Sequence, residues 1–355
     1  MTRVAVVGAG SWGTALSAVL SKKGHDVCLW AYEPEVADQI SRDRENGSYL
    51  SGIKLPENLR STADLGRALR GAEIVVSVSP AQVVGPVMAE AAPHIVDDAL
   101  IISASKGIET TTLRRMDEVI AQVLSPAQID RFTVLSGPSF ALEVANEIPT
   151  AVVAASKSED AAVAVQDLFQ TEYLRVYTGS DVIGVELGGA LKNVVALGAG
   201  VVAGLGCGHN TLAALITRGL AEMCRLGVAM GADASTFSGL AGMGDLFLTC
   251  TGMLSRNRTV GYRLGQGEAL ETILGEMSAL AEGVATAHAV HDLAAQYGVE
   301  MPIAEEVFGI LTQGNDPERA LKNLMERDPK PEEEIPSLKR RSQASRGDPK
   351  PQDSL

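Results

Sequence analysis

The first half of the chain repeats one hydrophobic pattern, in which a short β-branched run is followed by a polar or glycine turn and a longer alanine-rich segment. The short runs lie at residues 4–7, 27–30, 74–78, 100–103, 132–135, 151–154 and 174–177. Short apolar runs that alternate with helices are typical of parallel strands covered on both faces. The pattern predicts an α/β fold over residues 1–180, with a Rossmann-type doubly wound sheet.

The pattern changes after Gly179, where strand signals fade and segments rich in Ala, Leu and Gly take over. We expect helices at residues 182–204, 211–230 and 281–297, within an all-helical C-terminal domain at 181–327. Residues 328–355 contain five of the fifteen prolines, six basic and six acidic side chains, and almost no apolar residues. This composition predicts a disordered tail.

Composition narrows the class of protein. Of the 355 residues, 46% are hydrophobic and 21% are charged, which is the balance of a globular enzyme rather than a disordered or fibrous protein. The formal net charge of -14 disfavours nucleic acid and anionic membranes as partners. An anionic substrate is also repelled at long range, unless a local cluster of Lys and Arg receives it.

Cysteine usage and hydropathy indicate the compartment. The cysteines are far apart and form no CxxC pair, so neither a zinc site nor a disulfide framework is expected. The N-terminus lacks a basic region followed by an apolar export segment. The longest uncharged apolar stretch, 194–208, is too short for a membrane span and predicts a buried helix. We therefore expect a cytoplasmic protein without a bound metal.

The first predicted strand leads into a GxGxxG turn, Gly8-Ala9-Gly10-Ser11-Trp12-Gly13. In such a turn Gly8 allows the tight bend, Gly10 lets a pyrophosphate approach, and Gly13 lets the helix pack on the strand. The helix N-terminus then presents free N–H groups to phosphates. The flanking strand and helix favour dinucleotide binding over a glycine turn needed only for packing. An S-adenosylmethionine enzyme is the main competitor within this class.

The end of the second predicted strand does not decide which dinucleotide binds. An acid directly after this strand binds the ribose hydroxyls of NAD, whereas an Arg favours the 2′-phosphate of NADP. Here the strand is followed by Ala31 and Tyr32; Glu33 comes late, and Arg42 and Arg44 lie well into the next segment. The expected cofactor is therefore NAD or NADP, with the preference undecided.

Further candidate residues follow later strands, where ligands of such sheets bind. Lys106 follows the fourth run, and Gly137 and Ser139 follow the fifth. Lys192 lies among apolar residues of a predicted helix, where burial without a partner or a cleft is costly. Such a lysine can have a lowered pKa and act as an acid or base. The alternative is a lysine whose ammonium reaches the surface.

Two polar segments of the helical half complete the candidates. Gly242-Met243-Gly244-Asp245 places an acid on what reads as a flexible loop. The sequence Ser255-Arg256-Asn257-Arg258 concentrates hydroxyl, guanidinium and amide donors suited to a phosphate. This is the local basic cluster that an anionic substrate requires, although an exposed polar loop is the simpler alternative.

Six motifs occur in order along both halves of the chain. They are Gly-Ala-Gly-Ser-Trp-Gly-Thr-Ala-Leu at 8–16, Ser-Lys-Gly-Ile-Glu at 105–109, Leu-Ser-Gly-Pro-Ser-Phe-Ala at 135–141, Ala-Leu-Lys-Asn-Val at 190–194, Gly-Met-Gly-Asp-Leu at 242–246 and Ser-Arg-Asn-Arg at 255–258. Together they resemble the bacterial NAD(P)-dependent glycerol-3-phosphate dehydrogenases over about residues 1–325. Many members of that family carry a basic residue after the second strand, where this chain has Ala31 and Tyr32.

The resemblance implies reversible reduction of dihydroxyacetone phosphate to sn-glycerol 3-phosphate, which supplies phospholipid synthesis. It implies that Lys192 is the proton donor and acceptor. The implied substrate contacts are Lys106, Gly137, Ser139, Lys192, Asp245, Ser255, Arg256 and Asn257. The implied cofactor contacts, together with the glycine turn, are Gly8, Gly10, Ser11, Trp12, Gly13, Lys106, Ala141, Arg256, Leu280 and Glu282. The apolar helical half makes a homodimer the expected assembly.

Two rival functions remain. A related dehydrogenase acting on a hydroxyacid or ketopantoate would need no phosphate anchor, so residues 255–258 argue against it. A non-catalytic NAD(P)-sensing protein would keep the glycine turn but could lose Lys192 and Asp245, and both are present.

Overall fold

The computed structural model describes residues 1–277, 281–329 and 331–332. Leu280 and nearly all of the predicted tail at 328–355 lie outside the described residues, so the expectations for them stay predictions.

Strands and helices alternate in the first half of the chain. The strands are β1 (Arg3–Val7), β2 (Asp26–Trp30), β3 (Arg60–Thr62), β4 (Ile74–Ser77), β5 (Leu100–Ser103), β6 (Thr133–Ser136), β7 (Thr150–Ser156) and β8 (Leu174–Gly179). The helices between them are α1 (Ser11–Lys22), α2 (Pro34–Asp43), α3 (Leu65–Leu69), α4 (Val84–Ala91), α5 (Met116–Ile120), α6 (Pro126–Asp130), α7 (Ala141–Ala145) and α8 (Glu159–Phe169). The α/β expectation is therefore confirmed.

The strands form one sheet in the order β3-β2-β1-β4-β5-β6-β7-β8. All neighbouring strands are parallel except β6 and β7, which pair antiparallel. The expectation of parallel strands is wrong at this pair. Between β6 and β7 the chain forms only the short helix α7 and then re-enters the sheet from the edge at which β6 ended. It therefore runs back along β6 instead of crossing over the face.

The register aligns the ends of the central strands. Val7 pairs with Ser77, and Ser77 pairs with Ser103 on the next strand. Because these strands are parallel, the glycine turn, the Lys106 loop and Gly137 all emerge at the same edge of the sheet. This edge is where the candidate residues of the first half come together.

From Val182 onward the described regular elements are helical. They are α9 (Val182–Gly204), α10 (His209–Ala229), α11 (Asp245–Thr251), α12 (Arg256–Gly265), α13 (Leu270–Glu276), α14 (Glu282–Tyr297), α15 (Pro302–Thr312) and α16 (Pro317–Met325), with a 3-10 turn at Ala234–Ser238 and a π-helical turn at Leu240–Gly244. The predicted helices at 182–204, 211–230 and 281–297 match α9, α10 and α14 within two residues. Helix α9 lies at the centre, and α10, α11, α12, α14 and α15 pack around it.

Glycines bring α9 and α12 unusually close. A Cβ on Gly200 would overlap the Arg258 carbonyl oxygen, and a Cβ on Gly261 would overlap that of Leu197. Gly204 and Gly265 face each other in the same way one turn later. The two backbones therefore touch, which places the start of α12 beside the middle of α9.

Helix α9 is also the one described helix that is long and apolar enough to cross a membrane by length and composition alone. In this fold 89% of its most apolar window is buried by the surrounding protein. The predicted buried helix at 194–208 is thus observed, although the helix begins earlier, at Val182, and ends at Gly204.

Candidate active site

The glycine turn between β1 and α1 has one open face. Gly8 has a φ of +127°, and a Cβ there would lie 2.9 Å from the backbone N of Ser79. A Cβ on Gly13 would overlap the Gly8 carbonyl oxygen, so only glycine lets α1 pack this closely against the turn. At Gly10, apart from the neighbouring residues of the turn and helix, no atom of the described residues lies within 4 Å of a Cβ position. A ligand can therefore reach the backbone at Gly10.

The start of α1 fits the phosphates of a dinucleotide. Gly10 is the N-cap residue, no side chain of the described residues is seen to cap the helix, and the first turn carries no acidic residue. Within the described part of the chain, the buried indole N–H of Trp12 has no hydrogen-bond partner. Unpaired donors and the positive end of the helix dipole at one place suit an anion.

A second segment, at residues 46–49, contacts the glycine turn and the start of α1, and no pattern in the sequence predicted this. Asn46 is fully buried and donates to the Ala9 carbonyl oxygen and to the Thr14 hydroxyl, both at 2.8 Å. The Ser11 hydroxyl donates to the carbonyl oxygen of Tyr49 at 2.5 Å. These contacts join residues far apart in sequence and have no local pattern, so only the fold reveals them.

Two further expected cofactor residues lie at the margins of the same edge. Ala141 is the first residue of α7, which packs against α1. Glu282 begins α14, and its carboxylate accepts a hydrogen bond from the backbone N of Ala81 at 3.3 Å. Burial raises the pKa of Glu282, while the Ala81 hydrogen bond and the charges of Arg256, Lys192 and Lys106 oppose that rise. The loop after β4 is therefore joined directly to the helical half.

Three charged groups from three separate elements meet beside this edge. Asp245, the first residue of α11, accepts a hydrogen bond from the Lys192 Nζ at 2.5 Å and from the Lys106 Nζ at 2.7 Å. Lys192 is 7% exposed and Asp245 only 1%. One buried carboxylate thus lies between two ammonium groups, and the alternative in which the Lys192 ammonium reaches the surface does not hold.

The glycines before Asp245 predicted a flexible loop, and this prediction is wrong. The segment Leu240–Gly244 is a π-helical turn that packs on α9, and a Cβ on Gly242 would overlap the backbone of Phe237. The glycines serve close packing, which holds Asp245 in place. Thr249, one turn later on α11, accepts a hydrogen bond from the Lys192 Nζ at 2.9 Å. Its spacing of four residues from Asp245 could have identified it.

Burial and neighbouring charge set the protonation of this cluster. Burial lowers the pKa of Lys192 and Lys106 adds to the effect, while Asp245 opposes both, so the pKa falls from 10.5 to about 8. Burial would raise the pKa of Asp245, but the two ammonium groups outweigh it and hold that pKa below its usual value. Lys192 can therefore exchange a proton near neutral pH while Asp245 stays ionised.

The Lys106 ammonium also contacts the segment after β6. It donates to the Gly137 carbonyl oxygen at 3.0 Å, and the Ser139 hydroxyl donates to the same oxygen at 3.0 Å. Gly137 has a φ of +133°, a conformation that favours glycine, and a Cβ there would lie 3.0 Å from the Cα of Val152. The fold therefore brings Lys106, Gly137 and Ser139 together.

The polar segment at 255–258 forms the first turn of α12 and is not an exposed loop. The Ser255 hydroxyl caps the helix by accepting from the backbone N of Arg258 at 3.2 Å. Asn257 is buried; its amide donates to the Asn193 side chain at 2.9 Å and accepts from the backbone N of Gly283 at 3.0 Å. Arg256 is exposed in this turn. Because Asn193 follows Lys192, the first turn of α12 lies beside the part of α9 that carries Lys192.

Comparisons with known proteins identify the family of this chain. The family models for the N-terminus and the C-terminus of NAD-dependent glycerol-3-phosphate dehydrogenase match residues 3–162 and 181–322. The chain is 58% identical over 330 residues to a glycerol-3-phosphate dehydrogenase [NAD(P)+] from Geobacter metallireducens, covering 93% of this chain and 98% of that one. A second such protein, from Citrifermentans bemidjiense, is 56% identical with the same coverage.

A solved structure supports the same relationship over nearly the whole chain. The crystal structure of glycerol-3-phosphate dehydrogenase from Coxiella burnetii superimposes with a TM-score of 0.88 at 39% identity, covering 92% of this chain and 99% of that one. Sequence, family models and fold therefore agree across both halves. The chain belongs to the NAD-dependent glycerol-3-phosphate dehydrogenase family.

Proposed function

We propose that this protein interconverts dihydroxyacetone phosphate and sn-glycerol 3-phosphate with NAD(P)H, and so supplies glycerol 3-phosphate for phospholipid synthesis. The observation that carries the proposal is the buried Lys192, whose pKa is lowered to about 8 beside Asp245 and Lys106. A ketone that accepts a hydride needs a proton at its oxygen and positive charge nearby. The bound dinucleotide supplies the hydride, and this cluster meets both remaining requirements.

In the reduction, Lys192 is the proton donor. Its ammonium gives a proton to the carbonyl oxygen as negative charge develops there, and the resulting neutral amine regains a proton from solvent. In the oxidation the neutral amine accepts the alcohol proton. Asp245 and Thr249 hold the Lys192 Nζ by hydrogen bonds at 2.5 and 2.9 Å. Lys106 adds positive potential at the same place.

The phosphate of the substrate is proposed to bind at the start of α12. Ser255, Arg256 and Asn257 lie in its first turn, where backbone N–H groups and the helix dipole favour an anion. Arg256 supplies the cation. Gly137, Ser139 and Lys106 are proposed to contact the substrate from the side of the sheet. Anchoring the phosphate holds the carbonyl carbon in place for hydride transfer. The residues expected to hold the dinucleotide are Gly8, Gly10, Ser11, Trp12, Gly13, Lys106, Ala141, Arg256 and Glu282.

Replacing the proton donor tests this assignment. We expect Lys192→Ala to lower turnover of dihydroxyacetone phosphate by about 10²–10⁴-fold, the usual contribution of a positioned acid. Nucleotide binding, measured by titration of NADH fluorescence, should be nearly unchanged. Lys157→Ala, at an exposed lysine, is the matched control and should keep full turnover. Turnover like that of the wild type in Lys192→Ala would overturn the role of Lys192.

The two rival functions are separated by one assay. Oxidation of NADH and of NADPH is followed separately with dihydroxyacetone phosphate and with ketopantoate. The buried charged cluster and the cation at α12 support activity with the phosphorylated ketone. Absence of activity with either cofactor and either substrate would favour the NAD(P)-sensing alternative.

The domain division, the compartment and the oligomeric state are proposed as well. We infer a dinucleotide-binding domain at 1–180 and a helical substrate domain at 181–327, in a cytoplasmic homodimer. The change from strands to helices between Gly179 and Val182 supports the boundary. Light scattering on the purified protein tests the dimer, for which a mass near twice 37.1 kDa is expected.

A further inference from the structure

The Glu33 carboxylate follows the end of β2 by three residues and has no role in the proposed reaction. The backbone N of Gly8 donates to the Trp30 carbonyl oxygen at 3.2 Å, so the last residue of β2 lies directly beside the glycine turn. Ala31 is buried, Tyr32 is 78% exposed, and Glu33 is the half-buried N-cap residue of α2. Glu33 is thus the first acidic side chain after β2.

The Glu33 carboxylate is held in a defined position. The Tyr49 hydroxyl donates to the Glu33 Oε1 at 2.9 Å, and this bond raises the pKa of Tyr49. Tyr49 is itself fixed to the glycine turn, because its carbonyl oxygen accepts from Ser11 and its backbone N donates to the buried Asn46 side chain at 3.2 Å. The turn and the carboxylate therefore belong to one hydrogen-bonded unit.

Four basic side chains of this region are bonded elsewhere. Arg42 makes two hydrogen bonds of 2.8 Å to Asp43, and Arg44 donates to the Leu59 carbonyl oxygen at 2.8 Å. Arg60 pairs with Asp26, at the opposite end of β2, and Lys54 donates to the Asp43 carbonyl oxygen at 3.5 Å. The residues nearest the end of β2 therefore present a negative charge.

We propose that Glu33, oriented by Tyr49, selects an unphosphorylated adenosine ribose, so that the protein binds NAD(H) in preference to NADP(H). A ribose 2′-hydroxyl can donate to the carboxylate. A 2′-phosphate instead brings a second negative charge against a fixed one, which is repulsive. The inference rests on the proposed function, since it assumes that the glycine turn receives the dinucleotide.

Calorimetric titration with ADP-ribose and 2′-phospho-ADP-ribose tests the proposal without turnover. We expect wild-type protein to bind ADP-ribose at least about tenfold more tightly, a difference that one like-charge contact can supply. Glu33→Gln, which keeps the size of the side chain, should shrink this ratio through tighter binding of the phosphorylated ligand. Glu35→Gln removes an exposed acid two residues further along α2 and should leave the ratio unchanged.

Tyr49→Phe tests the positioning role of the hydroxyl. A loss of structure would weaken the binding of both ligands equally. Release of the Glu33 carboxylate should instead weaken the binding of ADP-ribose more, and so lower the ratio of the affinity for ADP-ribose to that for 2′-phospho-ADP-ribose. Equal wild-type affinities, or a ratio that Glu33→Gln leaves unchanged, would overturn the inference while the proposed function stands. Failure of the wild type to bind either ligand would overturn both.

Discussion

Lys192, Asp245 and Lys106 show how burial and charge act together at single residues. An isolated ammonium in an apolar helix would lose its proton, and an isolated buried carboxylate would gain one. Here the ion pair between the Lys192 Nζ and the Asp245 Oδ1, 2.5 Å apart, opposes both effects of burial. The lysine therefore remains able to give up a proton near neutral pH, while the carboxylate keeps its charge.

The pKa of Lys192 leads to a prediction about pH dependence. In the proposed mechanism reduction needs the ammonium form and oxidation needs the amine, so kcat/KM for reduction should fall and that for oxidation should rise as the pH passes about 8. Profiles measured in both directions check this. In Lys106→Met, the loss of a nearby positive charge should move both inflections to higher pH. Profiles that change in the same direction in the wild type would contradict the role of Lys192.

At the scale of elements, close packing decides where the polar residues lie. Helix α12 touches α9 along Gly200, Gly204, Gly261 and Gly265, and this contact places Asn257 against Asn193. The π-helical turn before α11 packs on α9 as well and holds Asp245. The site thus depends on the separation of helix axes, which small residues control.

One glycine substitution tests this dependence. Gly261→Ala would push its Cβ into the Leu197 carbonyl oxygen, so we expect a loss of about 1–3 kcal/mol in the free energy of unfolding, with weakened substrate binding. Gly275→Ala is the matched control, because the described residues leave open space at that site on α13 and alanine should be neutral or slightly stabilising. Equal free energies of unfolding of the two variants in urea would contradict the close contact between α9 and α12.

Another prediction concerns the start of α15. Glu222 of α10 accepts from the backbone N of Ile303 at 2.8 Å and of Ala304 at 3.2 Å. Burial raises its pKa from 4.5 to about 7, while these hydrogen bonds oppose the rise. Since the folded protein holds this proton more tightly than the unfolded chain, the stabilisation is complete below 4.5 and is lost as the pH rises through 7.

The variant Glu222→Gln should remove this pH dependence. Relative to wild type, its free energy of unfolding should rise between pH 5 and pH 8 by an amount on the order of 3 kcal/mol. Urea unfolding of both proteins at the two pH values measures the difference. A constant difference would mean that Glu222 keeps one protonation state over this range.

For the whole molecule, the formal net charge is -14, although the proposed substrate is an anion. Lys106 and Lys192 provide local positive charge around Asp245, and such charges act at short range, where screening by salt is least effective. The net charge and these local charges therefore have opposite signs, and we expect binding of an anionic substrate to depend on the local ones.

The C-terminal residues allow a test at the same scale. The family models end at residue 322, and residues 333–355 contain few apolar side chains, so we expect removal of 333–355 to leave kcat/KM and melting temperature unchanged. Steady-state assays and thermal unfolding of the truncated chain provide the check. A marked loss of either would assign a function to this segment.

The amino-acid sequence by itself determined the elements that depend on local pattern. The β-branched runs, the glycine turn and helices α9, α10 and α14 follow from periodicity and from the conformations that glycine permits. The three-residue edge strand β3 was missed because Arg60, Ser61 and Thr62 contain no apolar run. The antiparallel pair was missed because strand direction depends on where the chain re-enters the sheet.

Only the tertiary structure decided which polar groups share a site and how buried each one is. The sequence singled out Lys106, Lys192 and Asp245 one at a time, but their joining in one cluster requires three elements to meet. It also left the dinucleotide preference open at Ala31 and Tyr32, and the structure shows Glu33 held beside the turn by Tyr49. Protonation and specificity depend on distances between residues remote in sequence, because electrostatic energies follow spatial separation and burial.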